Sequence, residues 1–225
     1  DTLQDALSEP MFLANTLAGT VRVGASYTVL GYFLPSLLAR FKRSYPQVEI
    51  DLIDMDRTEI ERGVAEGALD FGLCVISNMV PPYVLKRQVL IQSRRQLWLA
   101  ESHPLAQLPV VGLADVAPYP YIMLKVEEGE ASATRFWQSA GHTPNVAFRT
   151  SSLEALRGLV GYGFGVSILS DMVYRPWSLD GRRIDVRTLS DAVPPMDVGL
   201  VQRPDAELPA PAHALQQFLV LACGA

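Results

Sequence analysis

Three short runs of polar side chains hold most of the chemistry this sequence can offer. Ser26, Tyr27 and Thr28 stand between a stretch that reads as a strand, residues 21–25, and an apolar stripe at helical spacing made by Leu30, Phe33, Leu34, Leu37, Leu38 and Phe41. Hydroxyls at a helix start lie among unpaired backbone N–H groups and the positive end of the helix dipole. A small carboxylate or polar ligand is held there without a catalytic residue. Arg149-Thr150-Ser151-Ser152-Leu153-Glu154 repeats the arrangement, with Ser151 expected as the N-cap and Glu154 as its capping-box partner. Capping and ligand binding both remain open for these hydroxyls. The third run, Lys125 followed by Glu127-Glu128-Gly129-Glu130, is a charged loop between a strand and a helix. Its carboxylates either draw a cationic ligand or solvate the helix start.

Other chemistries have no visible home. His103, His142 and His213 are scattered without Cys, Asp or Glu at metal-ligand spacing, so neither a metal nor a cofactor is expected. The sequence contains no G-x-S-x-G elbow, no C-x-x-C and no P-loop, which argues against an enzyme. Gly161-Tyr162-Gly163-Phe164-Gly165 follows a helix and precedes a strand, the reverse of a dinucleotide fingerprint. The glycines are expected to cap the helix and turn the chain, leaving Phe164 to line a ligand cleft.

The elements that position these runs alternate. Strands over 21–25, 48–52 and 69–76 are separated by helices over 32–45 and from Thr58-Glu59-Ile60-Glu61, read as a capping box, to Gly67. Connections of that length imply parallel pairing with right-handed crossovers. Pro35 is acceptable if it falls in the first helical turn. Residues 84–101 are too long for one strand, and Arg94-Arg95-Gln96 in their middle suggests a crossing between two bodies. The alternation then restarts with strands over 121–124, 146–149 and 165–169 and helices over 132–140 and 153–162. Further strands follow over 184–189 and 198–202, then a last helix carrying Leu215, Phe218, Leu219 and Ala222. Ligands of parallel sheets bind beyond the carboxyl ends of strands, so the two hydroxyl-rich helix starts are expected to frame one cleft. Residues 1–18 show a helical stripe interrupted by Pro10.

At 225 residues, 49% of them hydrophobic and 19% charged, the chain is long enough and apolar enough for one large domain or two lobes. A net charge of −5 argues against this segment gripping nucleic acid through phosphates. Cys74 and Cys223 sit among apolar neighbours and read as buried free thiols. No run approaches the length of a membrane span.

Gly19-Thr20-Val21-Arg22-Val23-Gly24, Leu34-Pro35 with Phe41, Tyr45-Pro46, Gly67-Ala68-Leu69-Asp70, His103-Pro104-Leu105-Ala106, and Ser152-Leu153-Glu154 with Gly163-Phe164-Gly165 follow in an order that resembles the effector-binding domain of LysR-type transcriptional regulators. The resemblance covers about 200 residues of the sequence. It implies an α/β, two-lobed, periplasmic-binding-protein-like (type II) fold, each lobe a mixed sheet flanked by helices, joined by two crossing segments. On this sequence residues 1–18 would end a linker helix, residues 19–92 and 196–225 form lobe I, and residues 93–195 form lobe II. Effector contacts would map to Ser26, Tyr27, Thr28, Ser77, Thr150, Ser151, Ser152 and Phe164, with Lys125, Glu127 and Glu128 in a loop that varies between members and tunes ligand choice. The redox-sensing members carry a reactive cysteine near this loop. This chain has none there, so thiol sensing is not expected. The implied function is effector sensing and oligomerisation, as a homodimer or homotetramer, in a cytoplasmic regulator. DNA would be contacted only through an N-terminal winged helix-turn-helix that this sequence lacks. A periplasmic solute-binding protein of the same fold is the alternative.

Overall fold

A computed structural model describes residues 16–224, so the helix expected over residues 1–18 lies almost wholly outside the described residues. In chain order the elements are β1 (Gly19–Ala25), α1 (Leu34–Ser44), β2 (Val48–Asp54), α2 (Arg57–Glu66), β3 (Phe71–Val75), β4 (Lys86–Ser93) and β5 (Arg95–Ala100). They continue with α3 (Leu113–Val116), β6 (Pro120–Leu124), α4 (Gly129–Ser139), β7 (Asn145–Thr150), α5 (Leu153–Gly161), β8 (Ser167–Ser170), β9 (Ile184–Arg187), β10 (Met196–Gln202) and α6 (Ala210–Cys223). The chain divides into two compact units. One takes the described residues up to Gln92 and from Asp197 onward, and the other is Ser93–Met196.

The first unit is built on a five-stranded sheet in the order β2-β1-β3-β10-β4. β1 pairs in parallel with both β2 and β3, as the strand–helix alternation requires, whereas β10 returns antiparallel to β3. β3 is buried at all five positions, which explains its unbroken apolar run. α2 covers one face through Ile60 and Val64, which cluster with Leu69, Cys74 and Val201. α1 and α6 pack together and against the sheet, with Phe41 meeting Phe218 edge-on at 5.5 Å between ring centroids.

Two helix starts differ from expectation. The polypeptide is already helical at Tyr27, and Val29–Phe33 form a widened π-helical segment in which the Leu34 N–H donates to the Val29 carbonyl. Pro35 has no N–H and its ring crowds the carbonyl four residues back, so the helix widens ahead of it instead of ending. Tyr27 and Thr28 therefore lie within the first turn. The cap of α2 is Asp56, not Thr58. Its Oδ1 accepts the Glu59 N–H at 2.8 Å, and its own N–H donates to Glu59 Oε2 at 3.1 Å. The Thr58 hydroxyl donates to the same carboxylate at 2.6 Å. That bond, followed by the Glu59 N–H, holds the Asp56 carboxyl below its ordinary range.

The second unit holds an antiparallel sheet in the order β8-β5-β9 and a parallel pair, β6-β7. The extended stretch over 84–101 is thus two strands, β4 and β5, broken at Arg94. Its core gathers Leu97, Leu99, Val111, Tyr121, Phe136 and Trp137. Arg157, 2% exposed, is kept there by Glu154 and by donation to the Val173 carbonyl at 2.6 Å. The glycine motif behaves as a helix end: Gly163 has φ 79°, its N–H reaches the Val160 carbonyl at 2.9 Å, and the Phe164 N–H reaches that of Leu159 at 2.9 Å. These two bonds are a Schellman cap.

Space is tight where β10 passes β4. A Cβ on Gly199 would overlap the Gln88 carbonyl oxygen and the Ile76 side chain. Gly199→Ala is expected to cost about 1–3 kcal/mol in urea unfolding. Gly158→Ala, within α5 and with nothing inside 4 Å of its added Cβ, is expected to gain about 0.5–1 kcal/mol.

Candidate functional site

In the first unit the strand ends decide which side chains meet. β1 and β3 run in parallel, and the Ser26 N–H extends their ladder by donating to the Leu73 carbonyl at 3.0 Å. The Ser26 carbonyl in turn accepts the Leu30 N–H at 2.8 Å, the first intrahelical bond. Ser26 is 1% exposed, and its hydroxyl has no hydrogen-bond partner among the described residues. Thr28 is buried beside it, whereas Tyr27 is 43% exposed. Ser77 lies in a single turn after β3, on the same carboxyl edge, and its Oγ accepts the Asp197 N–H at 3.1 Å. All four expected residues of this unit therefore lie just past the carboxyl ends of neighbouring strands. An unmet buried hydroxyl at a helix start costs about 1–3 kcal/mol, the kind of debt a polar ligand cancels.

In the second unit β6 and β7 end side by side, with Leu124 opposite Thr150 and the Lys125 N–H donating to the Thr150 carbonyl at 2.9 Å. The cap of α5 is Ser152, which corrects the expectation of Ser151. Ser152 Oγ accepts the Ala155 N–H at 3.1 Å, and Thr150 Oγ1 accepts the Ser152 N–H at 3.0 Å. Glu154 is drawn instead to the buried Arg157, because an unpartnered guanidinium there is far costlier than a missing reciprocal cap bond. Ser151 is exposed. Glu127 and Glu128 both adopt left-handed backbone, φ 50° and 55°, in the loop that leaves β6. Two such residues in succession store strain of the kind found at ligand loops. Glu130, the third carboxylate of that run, pairs with Arg149 at 2.8 Å.

Phe164 does not join this group. α5 starts at the carboxyl edge beside Ser152 and runs back along the sheet, and Val166 bridges Tyr121 near the start of β6. Phe164 thus stands at the amino ends of β6 and β7, 54% exposed, with its ring edge-on to Phe148 at 6.1 Å.

Polar groups at the strand ends also include residues that the sequence pattern did not single out as a site. Ser93, Ser170 and Asp171 share hydrogen bonds, and the Met172 N–H reaches both serine hydroxyls at 3.1 Å. Arg95 donates to Ser132 Oγ at 2.9 Å and to the Pro194 carbonyl at 2.6 Å. The polar break at 94–96 was the signal for this cluster; Asp197, one residue before the strand expected over 198–202, had none.

His103 caps a short turn, its Nδ1 accepting the Leu105 N–H at 3.2 Å, and burial lowers its pKa, favouring the neutral ring this bond needs. Both cysteines are free, Cys74 buried and Cys223 only partly so. Among the described residues there is no group of three or more His, Cys, Asp or Glu that could hold a metal ion, and no helix long and apolar enough to cross a membrane.

A family model described as the LysR substrate binding domain matches residues 14–223. The DNA-binding transcriptional dual regulator OxyR of Escherichia coli K12 is 30% identical over 199 residues, covering 86% of this chain and 63% of its own length. An uncharacterized HTH-type transcriptional regulator of Bacillus subtilis, YwbI, is 25% identical over 202 residues, with 87% of this chain and 64% of the relative covered. The chain thus spans less than two thirds of these relatives. Among solved structures, the LysR family regulator HinK of Pseudomonas aeruginosa superposes with a TM-score of 0.84 at 28% identity, covering 98% of this chain and 77% of that one.

The hydrogen bonds above assign distinct weights to the adjacent serines of the second unit. Ser152→Ala is expected to lower stability by about 1 kcal/mol through loss of the cap. Ser151→Ala is expected to change it by less than about 0.5 kcal/mol. Thermal unfolding of the two variants side by side checks both values.

Proposed function

The chain belongs to the LysR substrate-binding domain family, and from that membership we propose that it is the effector-sensing and oligomerisation part of a cytoplasmic, DNA-binding transcriptional regulator. Two structural relatives of the same fold hold small molecules, the effector-binding domains of QuiR with shikimate and of BenM with benzoate. A small effector is the corresponding ligand here. It engages Ser26, Tyr27, Thr28 and Ser77 at the carboxyl edge of the first unit, and Lys125, Glu127, Glu128 and Thr150–Ser152 at that of the second. The observation that carries this reading is the buried Ser26 hydroxyl, placed at a helix start and without a partner. A buried hydroxyl without a partner is stabilised by a ligand oxygen or nitrogen once its surroundings open to admit one.

No covalent step belongs to this reading. Effector binding shifts the population between arrangements of the protein, and a homodimer or homotetramer carries that shift to helix-turn-helix segments on the DNA. The relatives at sequence level are transcriptional regulators, which favours this role over a periplasmic solute-binding one.

Isothermal titration calorimetry of the chain against a metabolite panel tests the site. The tightest binder is expected to lose about tenfold in affinity in Ser26→Ala, the worth of one buried hydrogen bond, and to weaken also in Lys125→Ala. A tightest binder indifferent to both substitutions would move the effector elsewhere.

A further inference from the structure

A second unmet polar atom lies on the same edge as Ser26. Asp197 Oδ1 is shielded from solvent and has no hydrogen-bond partner among the described residues, although the Asp197 N–H donates to Ser77 Oγ. β1, β3 and β10 are consecutive in the sheet. β10 runs antiparallel to β3, so its first residues stand where β1 and β3 end. Ser26 after β1, Ser77 after β3 and Asp197 at the head of β10 therefore form a row about 10 Å long, two strand spacings.

The hydrogen-bonding capacities along this row are unequal. Ser26 can donate or accept, and Ser77 has spent an acceptor position on the Asp197 N–H and keeps its proton to donate. Asp197 as a carboxylate can only accept. No lysine or arginine belongs to the row. A ligand carboxylate set against Asp197 would meet like charge, whereas an ammonium or hydroxyl would satisfy the open oxygen. Resting on the effector-site reading above, we propose that the effector presents an N–H or O–H donor to Asp197. The first unit thereby selects against compounds whose only polar group is a carboxylate. Asp197 binds and discriminates.

Thermal unfolding of the chain with 1,4-diaminobutane, 1,4-butanediol and butyrate, at matched ionic strength, separates the possibilities. The diamine, the diol or both are expected to raise Tm with concentration while butyrate does not, and Asp197→Leu is expected to abolish the rise. Asp197→Asn keeps an acceptor oxygen but loses the charge, so it retains a hydroxyl-based shift and loses an ammonium-based one. If the leucine variant does not fold, Asp197→Ala, which also removes the acceptor, takes its place. The proposal is overturned if butyrate protects as well as the donors, if no donor protects, or if protection survives Asp197→Leu. Protection by butyrate that vanishes in Ser26→Ala would leave the effector site standing and remove only the donor requirement.

Discussion

Parallel pairing of β1 with β2 and β3 is the constraint on which the rest of the first unit depends. Parallel neighbours cannot be joined by a hairpin, so a helix must carry the chain back each time, and every strand then ends on the same edge where the next helix begins. That edge collects helix N-termini and the side chains of the junction residues. Ser26 and Ser77 sit there for this topological reason. The second unit repeats the logic on a smaller scale with β6 and β7, whose paired ends bring Lys125 against Thr150.

Hydrogen bonding then separates the hydroxyls whose oxygens are occupied from the one left open. Ser152 and Thr150 spend their oxygens on backbone N–H groups, and Ser170 and Ser93 spend theirs on each other and on Met172. Ser26 is as deeply buried as any of these yet remains unsatisfied. The effector contact proposed at Ser26 follows from that difference.

Much of this was legible in the sequence. The alternation of apolar strands and amphipathic helices gave the parallel unit, and the Arg94 break separated β4 from β5. The caps were less legible, because hydroxyl-rich junctions offer several frames and only the end of the preceding strand selects one. Asp56 displaced Thr58 and Ser152 displaced Ser151 for that reason. Pro35 looked like a helix start, yet a widened turn carried the helix past it to Tyr27. Asp197 and Arg95 were hidden more deeply. Their neighbours, Ser77 and Ser170, lie 120 and 75 residues away along the chain, and no local pattern reports such a pairing.

The position of β10 between β3 and β4 also orders events in time. Residues 93–196 are contiguous, so the second unit is fully synthesised while the first still lacks a central strand and α6. On the ribosome the first sheet waits with an open slot beside β3, its apolar residues unshielded, until Gln202 and then Cys223 have emerged. A nascent chain arrested after residue 196 would therefore carry one finished body and one exposed half-sheet, a natural substrate for chaperones.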